Sequence, residues 1–176
     1  GIFAGCSEEG GGSKNTVYGV NETVQINGVN VKLLGYRLGP ISGMAENYAG
    51  KTFITVCIGL ENQSEQTVKM GNTASTELDE LLKAIYKNQY ETLGKSDFKM
   101  TSDSGKISHA EIGYLTDETG LKTYGVQDNL KPKETGCIKI FTLVPSDWEQ
   151  IGIQYTPYFA PNETRSFVLN RANQLK

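Results

Sequence analysis

Three cysteines and a single histidine are the residues of this 176-residue chain most able to do covalent or metal chemistry. Cys6 stands in Phe3-Ala4-Gly5-Cys6-Ser7, an apolar residue and two small residues before a thiol. That is the pattern of a lipobox, the end of a bacterial lipoprotein signal peptide. Small residues let the signal peptidase approach the backbone, and the thiol takes a diacylglycerol and becomes the new N-terminus. A charged and then apolar leader belongs before such a motif. Phe3 departs from the usual Leu, Val or Ile. The expected modification is lipidation of Cys6, which would make the membrane a partner and place the protein at the outer face of the bacterial cell membrane. Ser7-Glu8-Glu9-Gly10-Gly11-Gly12-Ser13-Lys14-Asn15 follows, Gly/Ser-rich and charged, with the composition of a flexible tether.

Cys57 and Cys137 remain, both within strand-like segments far apart in sequence. Export would let a disulfide between them persist. Each falls on a mixed rather than a cleanly apolar face of its strand, which favours two half-buried free thiols. With no Cys-x-x-Cys and only His109, a zinc site is not expected. His109 is also the sole base available to a Ser-His-Asp centre. It sits in the polar stretch Ser108-His109-Ala110-Glu111, which reads as a solvated surface histidine. The acidic residues are accounted for by turns and a helix start. Asp103-Ser104-Gly105 and Asp117-Glu118-Thr119-Gly120 lack the alternating ligands and terminal Glu of a calcium loop. No Gly-x-x-x-x-Gly-Lys is present. The sequence therefore predicts no catalytic residues, no metal and no cofactor.

Aromatic residues offer a different chemistry. Tyr155, Tyr158 and Phe159 cluster between prolines near the end of the chain, a candidate surface for stacking on sugars or anchoring a protein. Covering the edges of the fold is the competing use. Tyr86 and Tyr90, four apart on a predicted helix, pose the same choice. The net charge of -3, with no basic stripe, argues against nucleic acid as a partner. No apolar run is long enough to span a bilayer.

The elements that must position these groups are mostly strands. Thr23-Val24-Gln25-Ile26, Asn27-Gly28 and Val29 to Leu38 predict a hairpin with a type I′ turn. Thr52 to Leu60 alternates so that Ile54, Val56, Ile58 and Leu60 share one face. Further strands are expected at Asp97–Met100, Ile112–Leu115, Cys137–Val144, Ile151–Tyr155 and Ser166–Leu169. Leu78, Leu81, Leu82 and Ile85 recur at helical spacing behind a Ser75 or Thr76 cap, predicting one helix. Short strands with close turn signals argue for a sandwich rather than βαβ units.

Taken in order, Asn21-Glu22-Thr23-Val24, Phe53 to Asn62, Asp97 to Lys106, Pro132 to Gly136, Phe141 to Pro145 and Gln154 to Pro157 resemble the bacterial lipoprotein family with a telokin-like immunoglobulin domain, a domain of unknown function. The resemblance covers nearly the whole chain after the tether. It implies an all-β, immunoglobulin-like (telokin-like) antiparallel β-sandwich over residues 16–176, with one short helical insertion at about 64–93, behind a lipobox and tether at 1–15. It implies export and no catalytic residues. Lys133 stands where the family's turn usually has glycine. The expected function is a non-catalytic binding or interaction module of the cell envelope, with a protein or carbohydrate partner at the cell surface. A structural or accessory subunit of an envelope complex, or an envelope-sugar hydrolase, are the alternatives.

Overall fold

The computed structural model describes residues 15–39, 47–48, 50–70, 97–105, 107, 112–116 and 129–176. Alternating apolar residues built from β-branched side chains make strands throughout, and two sheets pack face to face. The first sheet holds β2 (Thr23–Ile26), β3 (Val29–Leu38), β5 (Lys51–Asn62), β10 (Thr135–Pro145) and β8 (Ile112–Thr116) in that spatial order, with β4 (Asn47–Tyr48) paired to β5. The second runs β1 (Val17–Tyr18), β12 (Arg165–Asn170), β11 (Gln150–Tyr155), β7 (Phe98–Ser102). A small pair, β6 (Val68–Lys69) with β9 (Asn129–Leu130), stands apart. All of these pairings are antiparallel except that of β1 with β12. The chain is an all-β, immunoglobulin-like sandwich.

The Asn27-Gly28 hairpin forms as the sequence predicts, with φ of 46° and 81° at its two turn residues. The spine of the first sheet is the β5–β10 ladder, which pairs Thr135 with Glu61 at one end and Pro145 with Lys51 at the other. Ile54, Val56, Ile58 and Leu60 all enter the core, where they meet Ile138, Ile140 and Val144 from β10 and Ile151, Ile153, Phe167 and Leu169 from the opposite sheet. Each such side chain contributes about 1.5–3 kcal/mol through burial.

A bulge between Leu33 and Gly35 shifts the β3 register. Gly35 has φ +140°, and a Cβ there would lie 2.5 Å from the Asn173 carbonyl oxygen. Glycine at this position lets the C-terminal segment lie against β3, where Leu175 N–H donates to the Tyr36 carbonyl at 2.7 Å. Lys133, the departure noted in the turn before β10, holds a left-handed φ of 68°, the conformation glycine adopts most easily.

Residues 64–70, placed by sequence at the start of an insertion, pack on the sandwich: β6 pairs with β9 beside the two sheets, and Val68 and Met70 join the core. The predicted helix over Leu78–Ile85 lies outside the described residues.

Candidate functional site

Of the predicted site residues, Cys6, His109, Tyr86 and Tyr90 lie outside the described residues. Neither Cys57 nor Cys137 is in a disulfide, and both are buried. They share the outer face of the first sheet, where Cys57 pairs across with Lys139 and Cys137 with Gly59. That register makes them diagonal neighbours, with Cα atoms about 7–8 Å apart in ordinary sheet geometry, beyond the usual disulfide span. Burial pushes the Cys57 thiol pKa up, against the lowering effect of Arg37, whose guanidinium donates to Sγ at 3.8 Å, and of Lys139. In a Cys6→Ala background, Cys57 of the native protein is therefore expected to stay unmodified by a thiol-reactive dye over minutes. Denaturation without reductant should release two thiols, whereas a disulfide would release none.

The aromatic cluster is not a surface. Tyr155 is fully buried, stacked on Phe98 with centroids 4.6 Å apart, and it alternates inward with Ile151 and Ile153. Phe159 packs against the core, and Tyr158 alone is exposed, with the Lys69 ammonium 5.9 Å from its ring centroid. The expectation of a Tyr155–Tyr158–Phe159 binding face is corrected by this strand alternation, which turns position 155 into the sandwich. The Tyr155 hydroxyl has no hydrogen-bond partner. Burial, with the nearby Asp97 charge, holds its pKa well above the usual tyrosine value of 10. Tyr155→Phe removes an unsatisfied polar atom, so it should leave stability within about 1 kcal/mol of wild type or raise it. The sign with pH follows from the raised folded pKa. The contribution of neutral Tyr155 is intact below pH 10, where the unfolded phenol ionises, and is lost as pH rises through the folded value. Base titration followed at the tyrosinate band should show a step in the wild type that coincides with unfolding.

Asp103 is a turn residue. Its carboxylate accepts the Glu149 backbone N–H at 3.1 Å, and this bond with others to the backbone keeps its pKa below the usual aspartate value. Among the described residues no group of three or more His, Cys, Asp or Glu is placed to hold a metal ion.

Two concavities of the described surface lie on the outer faces of the sheets. One, of about 330 Å³, lies on the first sheet over Gly59, between Lys32, Leu34, Glu61 and Cys137. The Glu61 carboxylate there already accepts the Asn30 amide at 3.1 Å, and Asn30 accepts Gln25 at 3.2 Å. The other, of about 510 Å³, crosses the second sheet. Its floor is the register row Thr101–Gly152–Val168. The row Lys99–Gln154–Ser166–Val17 walls one side, and Gln150 with Asp103 lies on the other. The lining of this trough comes from four strands that only the register aligns, so residue types a few positions apart do not mark it. Gly152, between two buried isoleucines, was the one local hint of a thin spot in the sheet.

No protein-family model matches this chain, and no curated protein matches it. Solved structures do. An uncharacterized β-sandwich protein from Clostridium difficile 630 aligns over 91% of this chain and 97% of its own, at 13% identity and a TM-score of 0.46. The YjhA protein of Bacillus subtilis aligns over 88% of this chain and all of its own, at 10% identity and 0.48. YcdA of Bacillus subtilis, described as a candidate lipoprotein, aligns over 84% of this chain at 10% identity and 0.47. This chain corresponds to 38% of the YcdA chain. At these identities and scores the likeness carries no activity or ligand to this chain.

Proposed function

We propose that this protein is a non-catalytic binding module of the bacterial cell envelope, held at the outer face of the cell membrane by a lipid on Cys6. The observation that carries this reading is the order of three pieces along the chain. A small-small-Cys motif comes first, then a Gly/Ser-rich charged stretch, then a sandwich whose first strand begins at Val17. A domain displayed above a membrane needs an anchor, a tether and a rigid body in that sequence. The resemblance to the lipoprotein family with a telokin-like domain supports the same reading. No helix among the described residues is long and apolar enough to cross a membrane. A diacylglycerol thioether joined by a further acyl chain supplies the two hydrophobic signals that stable anchoring requires.

The test is expression from the full natural coding region in a bacterium, with intact mass and membrane fractionation of wild type beside Cys6→Ala. The expected result is a mature species beginning at acylated Cys6, pelleting with membranes, and a soluble, unacylated mutant. A wild-type protein that is soluble and carries no lipid would overturn the anchor.

A further inference from the structure

The trough on the second sheet has the chemistry of a saccharide site. Rims and floor sit on strands locked by continuous ladder pairing, Gln150–Tyr155 against Arg165–Asn170 on one side and Ile151–Tyr155 against Phe98–Ser102 on the other. Strand rise separates the row through Gln154 from the row through Gln150 by about 13 Å, with the lower Thr101–Gly152–Val168 row between them. Gly152 is what keeps that floor low. A Cβ there would meet the Thr101 hydroxyl at 2.9 Å, so any side chain would both fill the trough and push its neighbour.

The lining matches one class of occupant. Gln154 and Lys99 are exposed, Ser166 is half-buried, and all three line the trough from one cross-strand row. A side-chain amide sets a donor and an acceptor side by side, as adjacent ring hydroxyls do, and serine and threonine hydroxyls play either part. Gln150 donates to Asn170 at 3.1 Å, which fixes the orientation of one amide on the far rim. Val168 and the bare Cα of Gly152 give an apolar strip between these polar rims, and Val17 (57% exposed) extends the Gln154 rim as an apolar end. A pyranose has the same division, with hydroxyls around its edge and C–H groups on its faces. An added peptide strand would fit poorly, because the backbone groups of the floor are already spent in the ladder and the trough lies on a face rather than an edge. An apolar helix would leave the amides and the lysine desolvated without partners. A volume of about 510 Å³ lies within the range of small-ligand sites.

We infer that this trough binds a linear oligosaccharide, with Gln154, Lys99 and Ser166 as hydrogen-bonding contacts and Gly152 as the floor under a sugar ring. The inference names the ligand class of the module proposed above and rests on that reading for its biological setting. The binding itself needs no lipid, so the two fail separately.

The experiment is a titration of the isotope-labelled 176-residue chain, followed by amide NMR. The probes are the tetrasaccharides of N-acetylglucosamine and of glucose, and a tetrasaccharide of galacturonic acid. The expected result is saturable shifts for at least one probe, confined to residues of β7, β11 and β12, with a Kd on the order of 1 mM or tighter. Gln154→Ala, an exposed change, should weaken binding about fivefold, the loss of one hydrogen-bonding pair. Gly152→Leu should abolish it. Should that variant unfold, Ser166→Tyr, at a half-buried outer position, blocks the same floor. Shifts that map to another face, or no shifts with any probe up to about 10 mM, overturn the inference. Both results would leave acylation of Cys6 to be judged on its own measurement.

Discussion

Replacing Asn62 with alanine is expected to cost the fold about 3–5 kcal/mol, close to the loss from emptying a large core site. Asn62 is fully buried at the end of β5, yet every polar atom of its side chain is used. Its amide nitrogen donates to the Gln66 carbonyl at 2.8 Å and the Leu130 carbonyl at 2.9 Å. Its amide oxygen accepts the Ser64 backbone N–H at 2.9 Å and the Ser64 hydroxyl at 2.7 Å. Its own backbone N–H donates to the Glu134 carbonyl, and its carbonyl accepts the Lys133 N–H. The side chain thus ties the loop after β5 to strand β9, while the Asn62 backbone holds the turn before β10. Alanine strips the buried Leu130 carbonyl of its donor, at about 1–3 kcal/mol where water cannot reach, and frees the Ser64–Gln66 loop from the end of β5. Asn62→Asp is predicted to be no better. It replaces the donor with an oxygen that faces two carbonyls, so shape is kept while the bonds are lost. Denaturant melts of the two variants beside wild type measure this. A loss under about 1 kcal/mol in both would show that the loop and turn hold without the hub.

The second large effect is expected at Trp148. Trp148→Ala should destabilise by about 3–5 kcal/mol. The chain has one tryptophan, it is 1% exposed, and it sits in the short turn between β10 and β11. Tyr36 meets it edge-on at 4.9 Å between centroids, and the Arg171 guanidinium lies 5.2 Å from its ring centroid. Arg171 also donates to the Trp148 carbonyl at 2.7 Å and the Ser146 carbonyl at 3.0 Å. The Tyr36 hydroxyl donates to the Arg171 carbonyl at 2.7 Å. The indole is therefore the shared wall of β3, the β10–β11 turn and the C-terminal segment. Its removal opens a cavity and loosens the last residues together. At about 2–4 °C per kcal/mol for a chain of this size, the melting temperature should fall by about 10 °C. Trp148→Phe, which keeps a ring against Tyr36, should lose clearly less. Equal losses from the two would mean that the cavity is not what matters.

Both sites show what alternation along a strand does and does not reveal. The run from Phe53 to Leu60 identified its own core face, because a period of two is a local property of the backbone and needs no partner strand. Asn-Gly announced its hairpin for a similarly local reason, the two positive φ values. The same rule was present at Ile151, Ile153 and Tyr155. Reading Tyr155 with the neighbouring Tyr158 and Phe159 as a patch passed over it, and the buried phenol is the result. Strands β1, β6 and β9, each of two residues, are too short to carry any period.

From its residues alone the chain declared an all-β sandwich, the inward faces of its long strands and its hairpin. These depend on residue types a few positions apart. Tertiary structure decided the rest: that Cys57 and Cys137 stand diagonal to one another outside any disulfide, that Asn62 is a buried hub, and that Gly152 floors a trough between Gln150 and Gln154. Each of those depends on which residue of a distant strand stands opposite. Register is set by the summed burial and hydrogen bonding of whole sheets, so a single segment carries too little of that sum to reveal it.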